Sequence, residues 1–163
     1  GAFLLFTSNS QLNSLYGQLA DGFRRKGLLV LKQGEASRQE IARRFREDGD
    51  AVLFATRTFF EGVSIEGDAL RLVVLDKLPF EPPTPLSAAQ EAKRGFARVT
   101  LAKMLLDLKQ AGGRLIRTQT DRGVIAILDS RVHTKGYGQA VKRCLPPAPL
   151  TTRSETVKQF YAN

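Results

Sequence analysis

The chain opens with the apolar run Ala2-Phe3-Leu4-Leu5-Phe6 and the polar turn Thr7-Ser8-Asn9-Ser10. Large apolar residues then recur at helical spacing from Leu12 to Phe23. A continuous apolar run is typical of a strand that is buried on both faces of a parallel sheet. Threonine, serine and asparagine are favoured where helices begin. The opening therefore predicts a strand, a polar turn and a helix, which is the repeating unit of an α/β fold.

The same alternation continues along the chain. Apolar runs predict further strands at 28–31, 51–55, 70–75 and 124–128. Helical patterns are found at 37–48, from about Ser87, at 97–117 and at 134–145. Ser37 with Glu40 three residues later predicts a capped start for the first of these. The proline-rich segment 79–85 predicts a stiff, extended connector. We expect a three-layer α/β domain with a mostly parallel central sheet over residues 1–150, and a tail or short accessory helix over 151–163.

Composition and charge limit the classes of partner. Basic residues outnumber acidic ones by 25 to 16 in 163 residues, so the net charge is +9, which favours nucleic acid ahead of a membrane surface. Cys144 is the only cysteine, which excludes an internal disulfide and any cysteine-based metal site within these residues. There is no apolar run of about 18 residues and no signal peptide. We expect no bound metal, no membrane partner and a cytoplasmic location. The start at Gly1-Ala2, without Met, suggests a piece of a longer protein.

Three polar residues share one face of the longest predicted helix. Gln110, Arg114 and Arg117 stand at positions i, i+4 and i+7, and the same stripe runs back through Asp107 and Lys103. Arginine offers planar, permanently charged donors that suit phosphate oxygens. Gly112 and Gly113 are unfavourable inside a helix, so a backbone or a ligand is expected to come close there. This face is interpreted as a polyphosphate clamp, and the alternative is a solvated basic surface.

Polar segments also follow the first three predicted strands. They contain Thr7 and Ser8, then Gln33 and Gly34, then Thr56, Arg57 and Thr58. In an open parallel sheet such segments line the ligand crevice. Hydroxyls and free backbone N–H groups at a helix start can bind an anion, while simple helix capping remains the alternative for Thr7 and Ser8. The third segment continues through Phe59 and Phe60, which either stack on bases or pack in the core.

Three groups of residues occur in a recognisable order. They are Leu5-Phe6-Thr7-Ser8, then Glu61-Gly62-Val63 with Asp76-Lys77-Leu78-Pro79-Phe80, then Gln110-x-x-Gly113-Arg114-x-x-Arg117. The last is followed by Asp121-Arg122-Gly123, Leu128-Asp129-Ser130-Arg131 and Lys135-Gly136-Tyr137-Gly138, with these last four residues expected inside a helix. With these segments, residues 2–150 resemble the second RecA-like motor domain of superfamily 2 DNA helicases of the DinG/XPD-like group, and bacterial DinG in particular.

The resemblance implies a RecA-like fold and a role for each segment. Gln110, Arg114 and Arg117 would form helicase motif VI, whose arginines reach the γ-phosphate of ATP held by a partner domain. Motif V, which couples the nucleotide to the nucleic acid, would contain Glu61, Gly62 and Ser64, and Gly113 would also lie at the nucleotide. The resemblance further implies that the backbone of single-stranded DNA is contacted by Thr7, Ser8, Gln33, Gly34, Thr56, Arg57 and Thr58.

The sequence departs from the complete family pattern in two respects. Ser64 stands where DinG-like chains usually have aspartate, so any role of a carboxylate at this position is in doubt. The chain also lacks the G-x-x-x-x-G-K-[ST] phosphate loop and the acidic metal-binding box. In this family those belong to the first motor domain, which would share ATP and Mg²⁺ with this one. An iron–sulfur cluster, where the parent protein has one, would likewise lie outside this fragment.

Two functional hypotheses follow. The first is the second motor domain of an ATP-dependent DNA helicase, with 5′ to 3′ movement implied by the resemblance alone. The fragment by itself would then neither hydrolyse ATP nor unwind DNA. The alternative is a non-catalytic basic α/β module that binds nucleic acid without ATP. Elsewhere, Cys144 beside Lys142 and Arg143 is either a thiol of lowered pKa or a plain buried thiol.

Overall fold

The central sheet has five strands. The computed structural model describes residues 1–61, 69–116 and 122–162, apart from the side chains of Phe60, Glu61 and Arg114. Its strands are β1 Ala2–Phe6, β2 Val30–Lys32, β3 Val52–Thr56, β4 Leu72–Leu75 and β5 Val124–Ile127. All pairings are parallel, in the order β2-β3-β1-β4-β5. Leu4 in the central strand lies between Phe54 and Val74, and the predicted parallel α/β sheet is confirmed.

Eight helices are described. They are α1 Asn9–Arg25, α2 Arg38–Asp48, α3 Arg57–Glu61, α4 Pro85–Arg94, α5 Thr100–Leu115, α6 Arg131–Thr134, α7 Gly138–Cys144 and α8 Ser154–Ala162. Helices α1 to α5 lie between successive strands, and α6 to α8 follow β5. A 3₁₀ turn, Phe96–Arg98, precedes α5. Parallel strands require such crossover connections, because each new strand must begin at the edge opposite to the one where the last strand ended.

Side chains of the strands alternate between two apolar layers. Phe3 and Leu5 of β1 belong to one buried cluster, together with residues of α2 and α5 that include Phe45 and Leu108. Phe6 belongs to the other cluster, which is formed with α1. Because helices cover both faces of the sheet, the three-layer architecture expected from the sequence is confirmed.

Local capping signals gave several element boundaries correctly. The side chain of Ser8 accepts a hydrogen bond from the Gln11 backbone N–H at 3.2 Å and begins α1. Ser37 accepts one from Glu40 at the start of α2, as its sequence predicts. That helix ends at Gly49, whose φ of 76° lies in the left-handed region that glycine tolerates best.

The predicted helix over 134–145 is confirmed only from Gly138 to Cys144, and a separate short helix, α6, precedes it. Helix α6 ends at Thr134, Lys135 is extended with φ −112° and ψ 147°, and α7 begins at Gly138. The backbone of Gly138 packs so closely on Val132 that a Cβ atom would overlap the Val132 carbonyl oxygen. The segment 135–137 therefore turns between helices, and it is not helical as the resemblance suggested.

Two other expectations need correction. Helix α4 begins at Pro85 and not near Ser87, because Thr84 caps it through the Ser87 N–H and proline fits the first helical position. The extended connector therefore ends one residue earlier than predicted. The polar segment after β3 begins with the short helix α3, and its Phe59 is buried at 4% exposure, which confirms the core alternative for this residue.

Helix α8 lies against the beginnings of β4 and β5. The Tyr161 hydroxyl donates to the carbonyl oxygen of Arg71 at 2.6 Å, and the Arg122 guanidinium stacks over the Phe160 ring at 5.0 Å. These contacts attach the end of the chain to the main body. Within the part of the chain that the structure describes, every helix is too short or too polar to span a membrane.

We expect Gly138→Ala to destabilise the domain, because the added methyl group must displace the backbone of Val132. Overpacking of this kind costs about 1–3 kcal/mol. Gly136→Ala is the matched control, since a Cβ atom there would meet no described atom within 4 Å. Thermal unfolding of both variants checks this, and equal midpoints for the two would contradict it.

Candidate nucleotide and nucleic-acid surfaces

The side-chain amide of Gln33 joins the turns that follow β1, β2 and β3. Its Oε1 accepts hydrogen bonds from the Thr56 backbone N–H at 2.8 Å and the Thr56 hydroxyl at 3.0 Å. Its Nε2 donates to Oδ1 of Asn9 at 3.1 Å. The three strands are neighbours in a parallel sheet, so these turns lie together where the strands end, which we call the carboxyl edge. Gln33 and Thr56, two residues predicted to contact single-stranded DNA, are thus in direct contact with each other.

The other residues predicted to contact single-stranded DNA differ in exposure and in structural role. Thr7 and Thr58 are exposed, so their hydroxyls are accessible to a ligand. Ser8 caps α1, which is the alternative that the sequence left open for this residue. Gly34 has φ of 92°, a conformation that other residues rarely adopt, so the turn after β2 requires glycine.

Arg57 is directed towards α5. Its guanidinium forms ion pairs with Asp107 of α5 and, at 2.8 Å, with Glu81. Lys103 lies 3.3 Å from Glu81 and 3.9 Å from Asp107. Hydrogen bonding from Arg57, which outweighs the effect of burial, lowers the pKa of Glu81. These four charged side chains thus form one network, which joins α5 to the residue that follows β3.

The burial of Asp107 was missed by the sequence reasoning. Its place on the stripe of Lys103 and Gln110 predicted a polar face, yet its exposure is 8%. A signal was present, since Asp107 stands beside Leu108 and three positions after Met104, and both of these are fully buried. An acidic residue at the border of an apolar face needs a cationic partner, which Arg57 supplies.

Gln110 is exposed one turn beyond Asp107, and Arg114 follows one turn later in the same helix. Gly112 packs tightly, since a Cβ atom there would be 3.2 Å from Cδ of Pro146, so the atoms that approach this glycine belong to side chains and not to the backbone or ligand predicted from the sequence. At Gly113 a Cβ atom would meet no described atom within 4 Å. The glycine pair therefore has one packed member and one open member.

Several predicted nucleotide-site positions lie outside the described residues. They are Arg117, Gly62 and Ser64. For Arg114 and Glu61 the structure gives the position in α5 and α3 but not the side chain. Helix α5 ends close to where β5 begins, because a Cβ atom on Gly123 would lie 2.6 Å from Cδ1 of Leu115. Arg114 therefore stands near the amino edge of the sheet, where the strands begin.

Asp129 anchors the segment that follows β4. Its carboxylate accepts from the Leu78 backbone N–H at 2.8 Å and from the Arg131 guanidinium at 2.6 Å. Mainly because of these hydrogen bonds from Arg131, its pKa is lowered to about 2. The sequence had indicated only a strand end here, and the long-range contact to Leu78 had no local signal.

Asp76, at the end of β4, is a buried carboxylate whose two oxygens accept no hydrogen bond from the described residues. Burial raises its pKa, and the nearby backbone amides of Lys77 and Thr7 oppose this rise. Thr7 follows β1 and Asp76 follows the neighbouring strand β4. The Asp76 carboxylate therefore lies next to Thr7, a residue predicted to contact single-stranded DNA.

An aromatic cluster covers the ends of β4 and β5. The ring centroids of Phe80 and Phe96 are 6.2 Å apart, and that of Tyr137 lies 5.7 Å from Phe80. The Arg131 guanidinium stacks on Phe80 at 5.0 Å. The cluster buries the Leu-Pro-Phe segment on which part of the family resemblance rests, and Phe96 remains 40% exposed.

Other candidate chemistry finds no support among the described residues. The pKa of the Cys144 thiol is raised, chiefly by burial, which agrees with the plain buried thiol, one of the two alternatives that the sequence offered. Groups of three or more His, Cys, Asp or Glu side chains that could hold a metal ion are absent from the described ranges.

Comparisons with known proteins agree with this geometry. Residues 1–148 match the model of a family described as a helicase C-terminal domain. The chain is 41% identical, over 98% of its length, to the ATP-dependent DNA helicase YoaA of Escherichia coli K12, and 40% identical, over 79%, to the ATP-dependent helicase DinG of Mycobacterium tuberculosis H37Rv. It spans only 26% and 20% of those two relatives.

A solved chain described as an XPD helicase shares the fold. The TM-score is 0.66 over 91% of this chain and 28% of that chain, at 17% sequence identity. The RecA-like fold class expected from the sequence is confirmed.

We expect Asp129→Asn to lower stability at neutral pH by about 1–3 kcal/mol, because it weakens hydrogen bonds to a charged group. The folded-state pKa lies below the ordinary value of 3.8, so the carboxylate stabilises the fold above about pH 4 and this contribution is lost as the pH falls to about 2.

Denaturant unfolding between pH 7 and pH 2 measures both effects. The variant should lose less stability than the wild type below pH 4. Asp21→Asn, at an exposed carboxylate of α1, is the control and should follow the wild-type curve. Parallel curves for Asp129→Asn and the wild type would contradict the assignment.

Proposed function

This chain belongs to the helicase C-terminal domain family, and we propose that it is the second motor domain of an ATP-dependent DNA helicase of the DinG/XPD-like group. One observation carries the proposal. Helix α5 presents Gln110 and Arg114 one turn apart, and the same helix is tied through Asp107 to the turn after β3 at the carboxyl edge. A motor domain needs this arrangement, because it must connect a nucleotide surface to a strand-binding surface.

The nucleotide surface is formed by α5 and the segment after α3. Arg114 and Arg117 donate to oxygens of the γ-phosphate, and Gln110 positions the same group. Glu61, Gly62, Ser64 and Gly113 complete the surface on this side of the cleft. The open space at Gly113 and the exposed Gln110 fit the approach of an anionic ligand. Arginines placed at a transferring phosphoryl group neutralise developing charge and accelerate transfer by about 10³–10⁵-fold.

ATP with Mg²⁺ supplies the reacting phosphoryl group, and both are shared with the first motor domain of the parent protein. The phosphate loop and acidic box that hold them are absent from this sequence. The residues of this chain therefore act on one side of a composite site. Any iron–sulfur cluster of the parent also lies outside this chain, and the parent is cytoplasmic.

The strand surface is the carboxyl edge. Thr7 and Thr58 offer exposed hydroxyls, and the turn at Gly34 offers backbone N–H groups. Thr56 lies beside them, and Gln33 accepts the hydrogen bond from its hydroxyl in this structure. Such donors bind phosphates without reading the base, which suits a motor that moves along single-stranded DNA of any sequence. The net charge of +9 adds an attraction that salt weakens. Movement from 5′ to 3′ is proposed from the family resemblance.

The test is ATP turnover by the full-length parent with and without single-stranded DNA. We expect Arg114→Ala and Arg117→Ala each to lower DNA-stimulated kcat by about 10³-fold or more, while the Kd for DNA changes little. Lys109→Ala, at an exposed basic position of α5 off this face, is the matched control and should retain turnover. Unchanged turnover with weakened DNA binding would instead support the non-catalytic nucleic-acid-binding module.

The isolated chain gives a second prediction. We expect it to show no ATP turnover above an Arg114→Ala version of the same chain, because half of the composite site is missing. We also expect weak binding to single-stranded DNA that falls steeply with added salt. Tight binding at moderate salt, measured by fluorescence anisotropy, would contradict the motor assignment.

A further inference from the structure

A continuous chain of polar contacts crosses the molecule from the carboxyl edge to α5. Asn9 accepts from Gln33, Gln33 accepts from Thr56, and Thr56 is followed directly by Arg57, which pairs with Asp107. The chain therefore touches the turns after β1, β2 and β3 before it reaches the helix. We call its last contact the Arg57–Asp107 bridge.

Asp107 connects this bridge to the face of α5 that carries Gln110 and Arg114. It stands three residues before Gln110 and seven before Arg114, so all three share one face of α5. The bridge thus joins α5 one turn from the exposed glutamine and two turns from the arginine. No other ion pair described in the structure links α5 to a residue that directly follows a strand of the β2-β3-β1 group.

The bridge is also stiff. The side chain of Asp107 is 7% exposed and that of Arg57 is 27% exposed. A buried carboxylate that loses its cation is strongly unfavourable, so α5 cannot slide past the turn after β3 while the bridge stays intact. A second arm of the same guanidinium binds Glu81, which also binds Lys103 of α5. Displacement of the turn at Thr56 must therefore be accommodated by α5.

We propose that Arg57 and Asp107 are positioning residues. They transmit the binding of single-stranded DNA at the carboxyl edge to the face of α5 that carries Gln110 and Arg114. The inference rests on the function proposed above. A phosphate bound at the Thr56 turn shifts the start of α3, and the bridge carries that shift to the helix that holds Gln110 and Arg114. Arg57 then acts inside the protein through Asp107, and direct contact with the strand is not its main role.

The experiment measures ATP turnover of the full-length parent without DNA and with saturating single-stranded DNA. Saturation removes any effect of altered DNA affinity from the ratio of the two rates. We expect Asp107→Asn to lower this stimulation ratio by about tenfold, a size common for coupling between sites. Turnover without DNA should stay within about twofold of wild type, since Asp107 does not touch the nucleotide in this account. Glu47→Gln removes a carboxylate paired with an arginine at 2.6 Å on α2 and should leave the ratio unchanged.

The double variant Arg57→Gln/Asp107→Asn separates coupling from folding. It leaves no buried charge from the bridge unpaired, so its thermal midpoint should lie above that of Asp107→Asn. Arg57→Gln is also measured alone. The stimulation ratio of the double variant should equal that of Asp107→Asn and that of Arg57→Gln, because residues acting through one contact give non-additive effects. Ratios that multiply across the two substitutions, or a wild-type ratio in either variant, would overturn the inference. Absence of stimulation in the wild-type parent would instead overturn the proposed function itself.

Discussion

All five strands run in the same direction, and this constraint organises the rest of the molecule. The chain must leave every strand at the carboxyl edge, so the turns that contain Thr7, Gln33 and Thr56 come together although they are far apart in sequence. It must also return to the opposite edge before each new strand. Helix α5 makes one of these returns, and it carries Gln110 and Arg114 away from the turns at the carboxyl edge. One sheet thus separates two surfaces with different chemistry.

Apolar packing alone does not fix where α5 lies relative to the carboxyl edge. Apolar contacts fix α5 against the sheet through Met104 and Leu108, but they are non-directional. The pair of Arg57 and Asp107 adds a directional contact between the helix and the carboxyl edge. A buried ion pair contributes little net stability compared with apolar side chains of similar size. Its structural effect here is that it fixes the position of α5 relative to the carboxyl edge.

Sequence patterns predicted the parts of the structure that depend on local interactions. The strand at Ala2–Phe6 and the caps at Ser8 and Ser37 follow from apolar runs and short polar side chains, and all three are confirmed. The prediction for 134–145 failed at residues 135–137, because a helical pattern extends through them, while in the structure the chain turns there and the Gly138 backbone packs on Val132.

The site shows the same division between local and long-range information. The predicted strands identified which turns belong to the carboxyl edge, because order along the chain is visible in the sequence. The hydrogen bond from Thr56 to Gln33 spans 23 residues and the pair of Arg57 with Asp107 spans 50, so neither could be read from spacing. Asp107 was placed on a polar stripe for this reason. Its burial depends on where α5 packs, which is a property of the assembled sheet.

The central claim is that α5 faces the transferring phosphate while the carboxyl edge holds the strand. A structure of the full-length parent with single-stranded DNA and a non-hydrolysable ATP analogue tests it most directly. The account predicts the Arg114 guanidinium within about 3 Å of a γ-phosphate oxygen, the distance of a charge-assisted hydrogen bond, and strand phosphates at the turns of Thr7 and Thr56. Strand phosphates on Arg114, with the nucleotide bound elsewhere, would contradict it.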